Sequence, residues 1–170
     1  VALLLSLSGC DSIQKTVFQF FMESSPPDAP EGVEVIRDVG FTETPQGVLT
    51  LDIYRPIERG DSPLPVIVFL FGGGWEMGNK HQVGLMGFET FAQQGYAVIT
   101  IDYRFSSVAI FPAQINDSKA AIRWVRMFAD EYQLDGNNIG VVGPSAGGHL
   151  AALLGTSGGV KVLEGSLPPV

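Results

Sequence analysis

An α/β architecture, with a mostly parallel sheet, helices on both faces and an N-terminal antiparallel hairpin, is what this 170-residue sequence predicts. Three observations carry that expectation. Pro65 to Phe71, Tyr96 to Asp102 and Ile139 to Gly143 are apolar runs too continuous for a half-exposed sheet, and such runs suit strands covered on both faces. Helical patterns lie between them, and alternating strands and helices argue for parallel pairing through crossover connections. Ahead of them, the period-2 stretches Val33 to Phe41 and Gly47 to Pro56, joined through Thr42 to Gln46, read as an antiparallel hairpin.

Taken in order, the chain opens with "VALLLSLSGCDS", an apolar run ending in small residues and then the only cysteine, Cys10. It reads as the end of a secretory signal. Leu7-Ser8-Gly9-Cys10 resembles the lipobox of bacterial lipoproteins, whose cleavage leaves a lipid-bearing cysteine at the new N-terminus. No Met and no basic segment precede the run, so residues 1–9 are expected to be the remnant of a lipoprotein signal peptide. The alternative is a short hydrophobic strand or helix packed on the domain, with Cys10 buried. Residues 10–31 close in "ESSPPDAPEG", whose prolines and small polar residues read as a semi-extended, lipidated tether. The apolar patch Val17, Phe18, Phe20, Phe21 and Met22 fits a short helix lying on lipid or on the domain. Residues 32–170 are then the N-terminal portion of a domain whose C-terminal part is missing. Within it, Phe88 to Gln94 is a short helix stopped by Gly95. Ala113 to Tyr132 is a longer helix, with Ile115, Ile122, Val125, Ala129 and Tyr132 on one stripe and Lys119, Arg123, Arg126 and Asp130 elsewhere.

Composition narrows the function classes. With 45% hydrophobic and 16% charged residues the chain has an ordinary core-forming mixture. A net charge of −8 would repel phosphates, so nucleic-acid binding has no electrostatic support. No run reaches the roughly 18 apolar residues of a membrane-spanning helix, so membrane association is expected through the lipid anchor only. The spacing of His, Cys, Asp and Glu suggests no metal site, and no cofactor is implied.

Two motifs carry chemistry. "GPSAG", Gly143 to Gly147, has the form G-x-S-x-G and stands between a buried strand and the helix-like "HLAALLG". A nucleophile raised on a tight strand-to-helix turn needs small neighbours two positions away on either side, because the backbone folds back on itself there. That makes Ser145 the candidate nucleophile. The second motif, "FGGGWEMGNK" from Phe71 to Lys80, follows the first long buried strand. Consecutive glycines let backbone N–H groups point at a ligand, as an oxyanion hole requires. Gly73, Gly74 and the N–H of Ala146 are the candidate donors. Trp75 is placed at the substrate pocket, Trp124 in helix packing, and Asp117 in a buried pair with Arg104.

These residues resemble the α/β-hydrolase fold, and within it the esterases with an H-G-G-G-W loop, most of all the carbohydrate-acting bifunctional feruloyl and acetyl-xylan esterases. The resemblance rests on "LTLDIYRP", "GGGW", "VITIDYRFS", "FPAQINDSKAAIRWVR" and "NNIGVVGPSAGGHLAALLGTSGG", which cover most of Leu49 to Gly159. Two departures stand out. The family loop begins with a histidine that helps to hold it by hydrogen bonds, and here that position is Phe71. The triad partners are also missing. The family order is Ser, then Asp or Glu, then His. His81 precedes the serine and reads as a polar loop residue; His149, four positions after Ser145 on the same helix, is expected to be packed or hydrogen-bonded beneath the site. Glu164, the only carboxylate after the serine, reads as a surface loop residue. The resemblance implies roughly another hundred residues carrying the acid and the base.

The resulting expectation is a lipid-anchored, extracytoplasmic bacterial serine carboxylesterase, acting on small-molecule or polysaccharide acyl esters and inactive as residues 1–170 alone. Acyl and alcohol specificity and oligomeric state stay open. Two alternatives stand beside it: an amide hydrolase, because G-G-x-W loops also resemble kynurenine formamidase, and a non-catalytic surface module on a hydrolase fold.

Overall fold

In the computed structural model, residues 24–166, Pro168 and Val170 are described; Cys10 and the apolar patch from Val17 to Met22 lie outside them. Strands β1 (Val33–Thr44), β2 (Gly47–Pro56), β3 (Leu64–Leu70), β4 (Ala97–Ile101) and β5 (Leu134–Val142) form one sheet in the order β1-β2-β4-β3-β5. The hairpin β1–β2 is antiparallel and joins β4 antiparallel through β2, whereas β3 runs parallel to both β4 and β5. The connection from β3 to β4 carries helix α1 (Gln82–Leu85) and a 3₁₀ helix (Phe88–Gln94). The connection from β4 to β5 carries α2 (Ala113–Met127) and α3 (Ala129–Tyr132). These crossovers step in opposite directions along the sheet, so their right-handedness puts their helices on opposite faces. Helix α4 (Ser145–Thr156) and α5 (Lys161–Glu164) follow β5.

The sequence boundaries shift where side chains intervene. β1 runs on to Thr44, and the hairpin turn is only Pro45 and Gln46, because the Thr44 hydroxyl donates to the Gly47 carbonyl at 2.8 Å and accepts the Gln46 N–H at 3.2 Å. Every residue of β4 is buried, as a doubly covered strand requires. β5 differs from expectation: it starts earlier, and Gly140 is exposed with Val141 and Val142 half-buried, because among the described residues only β3 pairs with it. Gly95, at φ +88°, ends the 3₁₀ helix as anticipated.

The single helix expected from Ala113 to Tyr132 is two. Phe128 leaves helical geometry (φ −101°, ψ 16°) while its ring and that of Tyr132 both pack on the buried Trp124, at centroid separations of 5.0 and 5.1 Å. Lys119, assigned to the polar face, is 7% exposed. Its long stem lies inside while Nζ donates to the Ser157 carbonyl at 3.0 Å and pairs with Glu164 at 2.9 Å, so Glu164 is a helix-end partner and not a free loop residue.

The part of the expected tether that is described, Ser24 to Glu31, contains no helix or strand and is fastened to the body. Ser24 is buried and its hydroxyl donates to Asn79 at 2.9 Å, while Arg37 donates to the Pro27 carbonyl at 2.6 Å.

Between β4 and α2 the anticipated Arg104–Asp117 pair is present. Asp117 is fully buried, and it accepts from Arg104 Nη2 at 2.7 Å, Nε at 2.9 Å and the backbone N–H at 3.0 Å. This fork ties the chain leaving β4 to the first turns of α2. Removing one partner of a buried pair leaves an uncompensated charge, so Asp117→Ala should lower the unfolding free energy by about 3–5 kcal/mol. Urea denaturation measures this, and a loss below about 1 kcal/mol would mean that the fork does not hold the two elements together.

Candidate active site

β3 and β5 are parallel neighbours with Phe69 opposite Val142, so the segments that follow them emerge side by side at the C-terminal edge of the sheet. That edge is where open α/β sheets place their ligands. After β5, Pro144 is extended and Ser145 turns into the left-handed region at φ +49° as it opens α4. A side chain in that conformation is strained, and its neighbours show what enforces it. A Cβ at Gly143 or at Gly147 would run into the Leu70 carbonyl oxygen; at Gly147 it would also lie 2.7 Å from the Phe71 oxygen, and at Gly143 2.9 Å from the Gly147 carbonyl carbon. Gly147 and Gly148 donate to the Pro144 carbonyl at 2.8 and 3.2 Å, which closes the first turn of α4. Ser145 is exposed and Ala146 buried. Their N–H groups precede the first intrahelical bonds and lie at the positive end of the helix dipole.

The glycine loop leaves β3 beside this turn. A Cβ at Gly72 would lie 3.1 Å from the Pro144 oxygen and 3.5 Å from Ser145 Cβ, so the loop backbone runs against the elbow. Gly73, Gly74 and Trp75 follow with φ of +135°, +63° and +61°. Glu76 and Met77 donate to the Gly73 carbonyl, and Ser106 donates to the Trp75 carbonyl at 2.7 Å. The structure thus gathers Ser145, Ala146, the glycines and Trp75 in one place. The sequence misplaced His149: it is exposed, one turn along α4, with its ring edge-on to the indole of Trp75 at 5.3 Å and 87°. Four residues after Ser145, its side chain projects along the outer surface of α4 beside Trp75 and not beneath the elbow.

Sequence reasoning overlooked what holds the loop. Phe71, in place of histidine, is buried and stacks on Tyr103 with centroids 4.1 Å apart and planes 9° from parallel. The Tyr103 hydroxyl donates to the Phe71 carbonyl at 2.9 Å, and burial pushes its phenol pKa far up. The buried Gln82 accepts the Gly72 N–H on Oε1 at 3.0 Å. Lys80, at the far end of the loop, is 2% exposed. Its Nζ meets Asp38 at 2.6 Å, Asp52 at 2.8 Å and the Thr50 hydroxyl at 2.8 Å, with Asp102 at 3.8 Å. The Thr100 hydroxyl donates to its carbonyl at 2.6 Å. The hydrogen bond from Lys80 lowers the Asp38 pKa, whereas burial raises that of Asp102. For Lys80 burial alone would lower the pKa, but its bonds to Asp38 and Asp52 and the charge of Asp102 outweigh it, and the net shift is upward.

The chain has the α/β-hydrolase fold, by the sheet order, the elbow and the glycine loop that faces it. The family model BD-FAE matches residues 51–169, and the chain belongs to that family. It is 37% identical over 118 residues to Esterase LipC of Mycobacterium tuberculosis (strain ATCC 25618 / H37Rv), covering 69% of this chain and 29% of that protein. It is 32% identical over 156 residues to Carboxylesterase NlhH of Mycobacterium tuberculosis (strain CDC 1551 / Oshkosh), covering 88% and 46%. Among solved structures it superposes on a truncated form of a carbohydrate esterase from gut microbiota with a TM-score of 0.74 at 34% identity, covering 85% of this chain and 54% of that one. It also matches an esterase of the Planctomycetes species Thermogutta terrifontis, with a TM-score of 0.64 at 37% identity, covering 77% and 46%. The chain therefore spans about half or less of the relatives' own lengths.

Two outcomes test this geometry. Gly147→Ala puts a methyl group into the Leu70 carbonyl and should displace the elbow, lowering stability by about 1–3 kcal/mol through overpacking; thermal unfolding measures the loss, and an unchanged melting temperature would contradict the close approach. The Lys80 cluster gives a pH dependence. Because its folded pKa is raised above the ordinary 10.5, its stabilisation is complete below that value and is lost as pH rises through the folded value. The penalty of Lys80→Met in urea unfolding should be flat between about pH 7 and 9 and shrink beyond about pH 10.5; a penalty that grew in alkali would refute the sign.

Proposed function

We propose that the protein to which this chain belongs is a serine carboxylesterase. The observation that carries the reading is Ser145, exposed in a left-handed backbone conformation at the start of α4, with the Gly72 backbone running against it. In the proposed reaction Ser145 Oγ attacks the ester carbonyl carbon and gives its proton to a histidine base. The N–H groups of Gly73, Gly74 and Ala146 hold the resulting oxyanion. Collapse expels the alcohol, which takes the proton from the base. Water then adds to the acyl-enzyme and releases the acid. The base and its carboxylate partner are proposed to follow Val170, because His81 precedes the serine and His149 sits on the nucleophile's own helix. Residues 1–170 alone would keep only the oxyanion and binding contribution, about a thousandfold over water.

Acyl groups carried by a carbohydrate are the proposed substrate class, supported by the likeness to a carbohydrate esterase of gut microbiota. Residues 1–9 as a signal remnant, Cys10 as a lipidated N-terminus and an extracytoplasmic, membrane-anchored location are proposed from the sequence pattern. A non-catalytic module drew its support from Phe71, and the Tyr103 and Gln82 contacts to the loop weaken it.

Hydrolysis of a short-chain aryl ester by the full-length gene product should fall by about six orders of magnitude in Ser145→Ala. Stoichiometric labelling by a fluorophosphonate should vanish with it. Hydrolysis that survives the substitution would remove Ser145 from the mechanism.

A further inference from the structure

The side-chain amide of Gln82 makes two bonds to one residue of the glycine loop: Oε1 accepts the Gly72 N–H at 3.0 Å and Nε2 donates to the Gly72 carbonyl at 3.2 Å. Gln82 is 0% exposed. A backbone N–H can only donate and a carbonyl can only accept, so a single amide orientation satisfies both, and no side chain that lacks a donor or an acceptor can replace it. The clamp is enclosed from a third side. A Cβ at Gly78 would lie 2.6 Å from the Gly72 oxygen and 2.9 Å from Gln82 Nε2. Gly72 stands between the β3 end and the positive-φ residues Gly73 and Gly74, and it faces Ser145. Fixing its two peptide planes fixes the direction of the Gly73 N–H, which shares a plane with the Gly72 carbonyl.

From this geometry we infer that Gln82 is the positioning residue of the oxyanion loop, acting through Gly72 and touching no substrate. The inference rests on the serine esterase reading above and adds to it which side chain does the holding where the family's histidine is Phe71. Donors of an oxyanion hole act only in the transition state. Loss of the clamp should therefore lower kcat and leave KM nearly unchanged.

The test uses the full-length gene product, a short-chain aryl ester, and the variants Gln82→Leu and Gln82→Glu. Gln82→Leu should lose about 10–100-fold in kcat, somewhat less than the loss of a donor itself, with KM within about threefold. Gln82→Glu carries the sharper signature. A protonated carboxyl still donates to the Gly72 carbonyl and accepts its N–H, whereas a carboxylate faces the carbonyl oxygen with no proton between them. The ratio of Gln82→Glu to wild-type kcat should fall with rising pH through one ionisation, while the Gln82→Leu ratio stays flat. Hydrogen exchange at the Gly72 amide should accelerate in Gln82→Leu, with the α4 amides unchanged. Wild-type kcat in Gln82→Leu, a raised KM at constant kcat, or a pH-independent Gln82→Glu ratio would each overturn the inference. If Gln82→Leu fails to fold, the pH profile of Gln82→Glu decides. If the wild type hydrolyses no ester, or Ser145→Ala keeps its activity, the serine esterase reading falls, and Gly72 exchange then decides whether Gln82 holds the loop at all.

Discussion

The candidate site depends on a close backbone approach, the packing of Gly143 and Gly147 against the Leu70 carbonyl. β3 has parallel partners on both sides, so its end is among the most firmly held points in the sheet. The elbow rests on that end, and the glycine loop grows out of it one residue later. The proposed nucleophile and the proposed oxyanion donors are thereby referenced to a single peptide group. A displacement of β3 moves both together, whereas a side chain at either glycine separates them. Catalysis by positioned dipoles tolerates the first kind of error far better than the second, because the donors must meet an atom bonded to the nucleophile.

The glycine loop spends three successive residues at positive φ, and such a segment has no regular hydrogen bonding to hold it. Its support comes instead from three directions. An aromatic stack and the Tyr103 hydroxyl fix Phe71, the Gln82 amide fixes Gly72, and the ionic cluster around Lys80 fixes the far end. The last of these explains an irregularity in β1. The register shifts between Ile36 and Val39, and Asp38 takes φ +55°. Its N–H then binds the buried Asp52 at 2.9 Å while its carboxylate reaches Lys80. The bulge re-aims one carboxylate so that a buried lysine is fully paired, and burial of the lysine would be unfavourable without it.

Legibility followed steric and periodic demands. The meeting of the turn at Ser145 with the glycine loop was readable because a backbone that folds back on itself excludes side chains, and that exclusion writes glycines into the sequence at fixed spacing. β1 and β2 were readable from their alternation, and β3 and β4 as continuous apolar runs. What escaped were properties of tertiary neighbours. Ile139, Val141 and Val142 have the same composition whether or not a strand covers them. Phe128 interrupts its helix without Gly or Pro, since aromatic packing on Trp124 makes the break. Lys119 and Lys80 look like solvated charges until their partners, distant in sequence, surround them. Gln82 follows a histidine in a polar loop, and nothing local distinguishes a clamp from a surface amide.

The replacement at Phe71 changes more than one contact. An imidazole that supports a loop by hydrogen bonding alters its donor pattern when it gains a proton, and its free pKa lies near about 6.5. A primary amide keeps its NH2 donors and its carbonyl acceptor across the whole physiological range. Gln82 sits on both backbone groups of Gly72, and Phe71 is held by stacking and by a phenol whose pKa burial raises; neither the amide nor that phenol titrates near neutrality. Under the proposed mechanism, these two contacts would hold the donor geometry independently of the protonation equilibrium that a histidine base needs for its own chemistry. An aromatic ring in place of an imidazole removes a hydrogen-bonding group in isolation, but the polar hold on the loop that this structure does show comes from Gln82, ten residues downstream of Gly72.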